Sequence, residues 1–237
     1  KVPIEEKRLL YLDSDTIIDG SIEELFTMEL SKPLYMVIDI MWDFYKEKLG
    51  LNKSSYYFNG GLILYNLDVW RKENCAERYL DYLQHCNKQY VLGDQDITNV
   101  LFNEQIGVLD LKYNYYSNYY LINPKYMKSA VGVDESNYYS GEEMEEAKKS
   151  VAIYHCAKYN GERVWDKENN HPFSEIYKRY KSISYWKNEE GWTSNKSKAI
   201  KIQLLLQRWL PHRVYIIFLR RAQKQYFKKN EILLNQN

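Results

Sequence analysis

Short apolar runs of strand length, each ending in polar or acidic side chains, alternate with stretches of helical periodicity along the first two-thirds of the chain. Arg8-Leu9-Leu10-Tyr11-Leu12 has the apolar density of a buried strand and stops at Asp13-Ser14-Asp15, which puts two carboxylates at a strand's C-terminal edge. Residues 33–40 read as a second buried strand ending near Asp39. Residues 61–65 read as a third, directly after Phe58-Asn59-Gly60, and residues 150–154 as a fourth ending at His155. Ser21 with Glu24 three residues on reads as a capping box that opens a short helix through Phe26. Residues 68–87 carry apolar positions at helical spacing behind Asp68 as a cap, and residues 94–102 form another helix with Ile97, Val100 and Leu101 on its inner face. Strands and helices in this order favour an α/β fold, in which sites gather at strand ends.

The chain is long enough for one core and an appendage: 237 residues, 45% apolar and 27% charged, a globular and not a disordered composition. Cys75, Cys86 and Cys156 are odd in number and lack CxxC or metal-ligand spacing, which argues against a disulfide framework and for a reducing compartment. No run approaches the roughly 20 apolar residues of a membrane-spanning helix. The first strand lies so close to Lys1 that the N-terminus reads as open and truncated. The 24 tyrosines include a cluster, Tyr113, Tyr115, Tyr116, Tyr119 and Tyr120, readable as a stacking platform; the joint abundance of Lys, Asn, Ile and Tyr favours a composition bias instead.

Two carboxylates one residue apart can bind a hard divalent cation from one side and leave its other side open to phosphates. Alone, such a pattern is more often a solvated turn; its place after a buried run raises it. The same string is similar to a haloacid-dehalogenase-like phosphatase motif, although Thr16-Ile17 stands where that family has Gly-Thr. His155 at another strand end can complete the ligand set. After it, Lys158, Gly161, Arg163 and Trp165 form a basic loop able to close over a diphosphate. Asp94-Gln95-Asp96 after Gly93 is either a site or an acidic first turn. Phe58-Asn59-Gly60-Gly61 is either a site or a tight turn.

Taken in order, Tyr11-Leu12-Asp13-Ser14-Asp15, Phe58-Asn59-Gly60-Gly61-Leu62-Ile63-Leu64-Tyr65-Asn66-Leu67 with Trp70-Arg71, Asp94-Gln95-Asp96, and His155 with Trp165 resemble glycosyltransferase family 8. The resemblance covers roughly residues 8–165. It implies a GT-A, Rossmann-like nucleotide-diphospho-sugar transferase fold, here N-terminally truncated and followed by a helical tail. It also implies a retaining enzyme that moves a hexose from a nucleotide-sugar donor, UDP-glucose or UDP-galactose, to a glycan or glycolipid acceptor in bacterial surface polysaccharide synthesis. By the same likeness Asp13, Asp15 and His155 hold Mn2+, with Mg2+ as the alternative. Asp39, Asn59, Gly60, Asp94 and Gln95 line the donor and acceptor sugars, with Asp94 and Gln95 in the catalytic role. Leu12, Ser14, Lys158, Gly161 and Arg163 face the nucleotide and diphosphate. The family's closing loop has a lysine for which Arg163 is the better stand-in and Lys158 the other. Retention proceeds either through a covalent glycosyl-enzyme or by attack from the leaving-group face. A metal-dependent phosphatase and an inactive sugar-binding or scaffolding fragment are the competing readings.

Charge divides the chain into a body, residues 1–195, and a tail, residues 196–237. The tail has ten Lys or Arg against one acid, Glu231; the body keeps 23 basic and 31 acidic residues, near −8 against near +9. Two helices separated by Pro211 carry Ile202, Leu205, Leu206 and Trp209, then Val214, Ile217 and Phe218, at helical spacing. That suits residues 196–229 to an anionic membrane surface, the inner face of the plasma membrane of a cytoplasmic enzyme. Helices packed on the body are the other reading. No nucleic-acid module accompanies the charge, so nucleic acid is not an expected partner.

Overall fold

The computed structural model describes residues 5–88, 90–120, 127–167, 169–193 and 196–234; the boundary expected at residue 195 and the last three residues of the tail lie outside them. Two sheets organise the body. In the first, β1 (Arg8–Leu12) runs antiparallel to β4 (Phe58–Asn66), β4 antiparallel to β3 (Leu34–Ile38), and β3 parallel to β5 (Ile106–Val108). The second has the order β2 (Thr16–Ile18), β7 (Ile153–His155), β6 (Tyr115–Tyr116). Helices α1 (Glu23–Thr27), α2 (Asp43–Leu49), α3 (Leu67–Lys72), α4 (Cys75–His85) and α5 (Asp94–Phe102) lie between the strands of the larger sheet in sequence, α3 packing on β1 and β4 and α5 on β4. They are followed by α6 (Met127–Val131), α7 (Gly141–Lys149) and α8 (Ser174–Ile183), then α9 (Lys198–Trp209) and α10 (His212–Leu234). All five residues of β3 are buried, as a strand paired on both edges and covered on both faces requires.

The third expected strand starts three residues earlier than its apolar run. Pairing of β3 with β4 steps from Met36–Ile63 to Val37–Asn59, so Gly60, Gly61 and Leu62 have no partner on β3. Phe58-Asn59-Gly60-Gly61 is therefore a bulge inside β4 and not a turn before it, a place where glycines and site residues concentrate. The bulge also explains why the inner face of α5 is polar. Asp96, Thr98, Asn99 and Phe102 are buried there, while Ile97, Val100 and Leu101 are half-buried. Asn99 accepts from Phe58 N–H at 2.7 Å and donates to Phe58 C=O at 2.8 Å, so backbone groups without a ladder partner are satisfied by a side chain.

Two local expectations are corrected. The capping box at Ser21 does not form: α1 starts after Ile22 with no side-chain cap, and Ser21 Oγ accepts only from Glu23 N–H. The helix expected over residues 68–87 is two helices, because Asn74 takes a left-handed φ of 50° between α3 and α4. Its cap is Asn66, whose side chain accepts from Val69 N–H, and not Asp68. The three cysteines are free, two of them buried. Tyr113, Tyr115 and Tyr119 of the tyrosine cluster are core residues.

The tail helices pack on the body by one face and leave another open. Tyr215, Ile216, Leu219 and Phe227 are buried, with the Phe227 ring 4.1 Å from that of Tyr45. Arg220 donates to both carboxylate oxygens of Asp43 at 2.6 and 2.7 Å. Of the apolar stripe read from the sequence, Leu206 alone is half-buried; Ile202, Leu205, Trp209, Val214, Ile217 and Phe218 are exposed. Among the described residues no helix is long and apolar enough to cross a membrane.

Candidate active site

The turn that follows β1 passes the chain from one sheet to the other, and that crossing builds the cation site. Asp13 N–H still donates to Gly61 C=O in the first sheet at 2.9 Å, while Thr16 already pairs with His155 in the second. Thr16 Oγ1 closes the turn on Asp13 C=O, and Cys156 N–H donates to Asp15 C=O. Asp13, Asp15 and His155 thereby offer ligand atoms that all lie within 4.8 Å of one another. His155 Nε2 is 3.7 Å from Asp13 Oδ2 and 3.4 Å from Asp15 Oδ1. Adjacent ligand atoms each about 2.0–2.3 Å from one cation lie roughly 3 to 3.5 Å apart, so a small closure suffices. Two carboxylates and one imidazole suit a divalent cation.

A buried chain of amides orients the histidine. Asn114 is fully buried; its Nδ2 donates to Asn59 Oδ1 at 2.8 Å, which leaves Oδ1 as the atom facing His155 Nδ1 at 2.9 Å. Nδ1 is thereby turned toward a hydrogen-bond acceptor, and Nε2 faces the two carboxylates as the nitrogen left to bind a cation. Room for the ring comes from Gly61: a Cβ there would lie 2.2 Å from His155 Cε1.

Beyond Asn59 the chain reaches the sugar-binding candidates. Asn59 Nδ2 donates to Asp39 Oδ2 at 2.9 Å; Gln95 Nε2 lies 3.4 Å from the same oxygen and 3.2 Å from Tyr57 Oη. Gln95 Oε1 accepts from Gly60 N–H at 2.8 Å. Burial pushes the Asp39 carboxyl up, against the opposing hydrogen bonds from Asn59 and Ile40 N–H. Asp96 accepts from Tyr45 and Tyr57 hydroxyls, each at 2.6 Å, and from Leu92 N–H, so it anchors the start of α5 and with it Gln95. Asp94 is exposed on that first turn; its charge, with that of Asp13, helps hold the Tyr11 hydroxyl, hydrogen-bonded to Asp13, up at about 12.

The diphosphate candidates divide. Arg163 is brought in: its Nη1 is 3.1 Å from Asp15 Oδ2 and its guanidinium lies over the Trp165 ring. A hydrogen bond from His155 holds the Asp15 carboxyl low against burial, and Arg163 adds to that. Lys158 is exposed, without a hydrogen bond or ion pair to the described residues. Gly161 is not part of an open loop. With Asn160 it forms the two-residue turn of a hairpin, both at positive φ, closed by Tyr159 and Glu162 and packed against Ile200 of α9. Leu12 is half-buried at the end of β1, and Ser14 is exposed between the two aspartates.

A cavity of about 280 Å3 opens beside this network, lined from the body by Asp39, Asn59, Gln95 and Tyr116 among others. Its other wall belongs to the tail: Gln203, Tyr215, Leu219 and Gln223. Sequence reasoning missed Asn114 and these tail residues. The one signal for Asn114 was an amide between two core tyrosines, which needs a partner; its partners lie 41 and 55 residues away.

An Asp-x-Asp turn handed from one sheet to a histidine on a second sheet, in an α/β chain, is the arrangement of a metal-assisted enzyme site. The family model described as "Glycosyl transferase family 8" matches residues 4–169, and the chain belongs to that family. This membership sets aside the phosphatase reading. General stress protein A of Bacillus subtilis (strain 168) is 24% identical over 76% of this chain and 60% of its own length. Lipopolysaccharide 1,2-glucosyltransferase of Escherichia coli is 34% identical over 45% of this chain and 33% of its own. The crystal structure of the galactosyltransferase LgtC in complex with donor and acceptor sugar analogues superposes with a TM-score of 0.54 at 24% identity, covering 74% of this chain and 60% of that one, a likeness of fold. The chain thus spans 60% or less of the length of these proteins, and α9 and α10 lie beyond the family match.

Proposed function

We propose that the chain is the catalytic part of a retaining, metal-dependent hexosyltransferase acting on UDP-glucose or UDP-galactose, with a glycan or glycolipid of the bacterial surface as acceptor. The observation that carries this reading is the convergence of Asp13, Asp15 and His155, joined through Asn114, Asn59 and Asp39 to Gln95. When bound, Mn2+ at the triad supplies positive charge to the departing nucleoside diphosphate. Arg163, held between Asp15 and Trp165, is placed to add a second positive charge to the diphosphate. Asp39 and Asn59 bind sugar hydroxyls, and Gln95, fixed by Gly60 and Tyr57, presents its amide to positive charge developing at the anomeric carbon. Asp94 adds a carboxylate at the rim. Membership of the family and the glucosyltransferase named among its relatives support the transfer chemistry.

Calorimetry with Mn2+ and UDP, followed by donor turnover on a panel of UDP-sugars, tests the reading. UDP binding that needs Mn2+, with turnover lost in Asp15→Asn, is the expected result. Binding without metal overturns it, and donor binding without turnover in the intact fold replaces it by the sugar-binding reading.

A peripheral membrane attachment through residues 196–229 accompanies this function. It is supported by six exposed apolar side chains of α9 and α10 set among Lys and Arg. An anionic surface, the inner face of the plasma membrane, is its target.

A further inference from the structure

The cavity wall contributed by the tail lies outside the part of the chain that the family model matches. We infer that the α9–α10 hairpin selects the acceptor: Gln203, Tyr215 and Gln223, together with Asn118, bind one uncharged pyranose ring of the acceptor beside Gln95. This rests on the glycosyltransferase reading. The cavity shares Asp39, Asn59 and Gln95 with the amide network, but none of Asp13, Asp15 and His155 lines it. A ring lodged there reaches Gln95 without touching the three cation ligands and meets residues beyond the family match, the place of the acceptor rather than of the sugar carried by the diphosphate.

The lining chemistry names the class of ligand. Five residues with side-chain amides line the space: Asn59 and Gln95, whose amides are already tied into the network, and Asn118, Gln203 and Gln223, an amide chemistry suited to sugar hydroxyls, with Gln203 Nε2 3.4 Å from Tyr215 Oη. Trp42, Tyr116 and Tyr215 add rings against which the apolar face of a pyranose packs. Among the described residues no Lys, Arg or His lines the cavity, and the one acidic group there is the Asp39 carboxyl, so none of them balances the charge of a uronate or sugar phosphate. Asn118 Oδ1 is buried and has no hydrogen-bond partner among the described residues. At about 280 Å3 the space lies just below the order of 300–1,000 Å3 of drug-sized clefts, a match for one ring and not for an extended glycan. The wall is held in place: the Arg220–Asp43 ion pair and the Phe227–Tyr45 ring contact fix α10 to the body.

The test uses the whole chain with Mn2+ and UDP present and saturation-transfer NMR with methyl β-D-glucopyranoside, methyl β-D-galactopyranoside and, as the charged control, methyl β-D-glucuronide. At least one neutral glycoside binds, and the glucuronide binds at least about tenfold more weakly. Gln203→Leu with Gln223→Leu removes two neutral hydrogen bonds and weakens that binding by roughly tenfold; UDP affinity in the presence of Mn2+ is unchanged. Trp209→Ser, on the exposed face of α9, alters neither. Should the double substitution unseat the hairpin, seen as a lost melting transition, Gln223→Met, close in size and without hydrogen-bonding groups of comparable strength, carries an expectation of the same sign and about half the free-energy loss, a roughly threefold weakening. Unchanged glycoside binding in the variants overturns the inference, as does equal binding of the glucuronide or none by the neutral pair. Glycoside binding that depends on the tail, without any UDP binding, would instead sink the glycosyltransferase reading and leave the sugar site standing.

Discussion

A methyl group on Gly61 would fall 2.2 Å from Cε1 and 2.5 Å from Nδ1 of His155, so alanine there must push the imidazole off Asn114. Asn114→Leu removes the same support by another route, leaving Nδ1 without its acceptor. Both variants should bind Mn2+ about 10–100-fold more weakly, the usual cost of losing an outer-shell partner of a histidine ligand. Calorimetry reads this directly, and an unchanged affinity in both would mean that His155 is not a ligand. Gln95 behaves differently, because it touches no ligand of the cation: Gly60 N–H, Tyr57 and Asp39 are its partners. Gln95→Ala should lower kcat about a hundredfold, the order found for one lost transition-state electrostatic contact, with little change in UDP affinity. Equal losses in both quantities would make it a packing residue of α5.

Among the contacts that keep helix α10 on the body are the Arg220–Asp43 ion pair and an apolar face, and the ion pair is sensitive to acid. Burial raises the Asp43 carboxyl, but the hydrogen bonds from Arg220 and Phe44 N–H outweigh it, and the group titrates below its ordinary value. A folded-state value below the unfolded one, about 3.9, means that the stabilisation is complete above that pH and is lost as pH falls through the folded value. Asp43→Asn should therefore lower Tm at pH 7, with a cost on the order of 1.5 kcal/mol for a charged hydrogen bond. The gap between variant and wild type should close as the pH approaches 3. Thermal melts at pH 7, 5, 4 and 3 check this; a gap independent of pH would mean that the pair contributes packing alone. At this scale the sequence pattern located β1, β3, β4, β7, α1, the α3–α4 stretch, α5 and the two tail helices, passed over the short strands β2, β5 and β6 and the helices α2, α6, α7 and α8, and misread several ends. Asp68 looked like the cap, yet Asn66 took that place because its side chain alone reaches Val69 N–H. Asn74 split one helical pattern in two by adopting a left-handed φ that periodicity does not register.

The whole molecule presents an acidic body and a basic tail whose outer face carries Trp209, Ile217 and Phe218 in the open. Each basic residue near an anionic surface contributes about 1 kcal/mol, so the basic residues of the tail other than Arg220 and Lys196, which pair with Asp43 and Glu162 of the body, should hold the chain to acidic vesicles at low salt and release it at high salt. Co-sedimentation with anionic and neutral vesicles, comparing the wild type with Trp209→Ser/Phe218→Ser, reads this. Binding indifferent to lipid charge, or to both substitutions, would leave the exposed stripe without a membrane role. The sequence alone determined the α/β order, the Asp-x-Asp at a strand end, the histidine at another and the two tail helices, because local periodicity and strand-end chemistry are written in neighbouring residues. It could not decide which face of the tail would be covered: Val214, Tyr215, Ile216, Ile217, Phe218 and Leu219 are apolar or aromatic all round, and the body alone selects Tyr215, Ile216 and Leu219 for burial. Nor could it bring Asn114 to His155, or Gln203 and Gln223 to Gln95's cavity, since nothing short-range links residues so far apart. Those meetings exist only once two sheets and a docked helix have excluded water from the space between them, where an unpaired amide becomes costly and must find a partner.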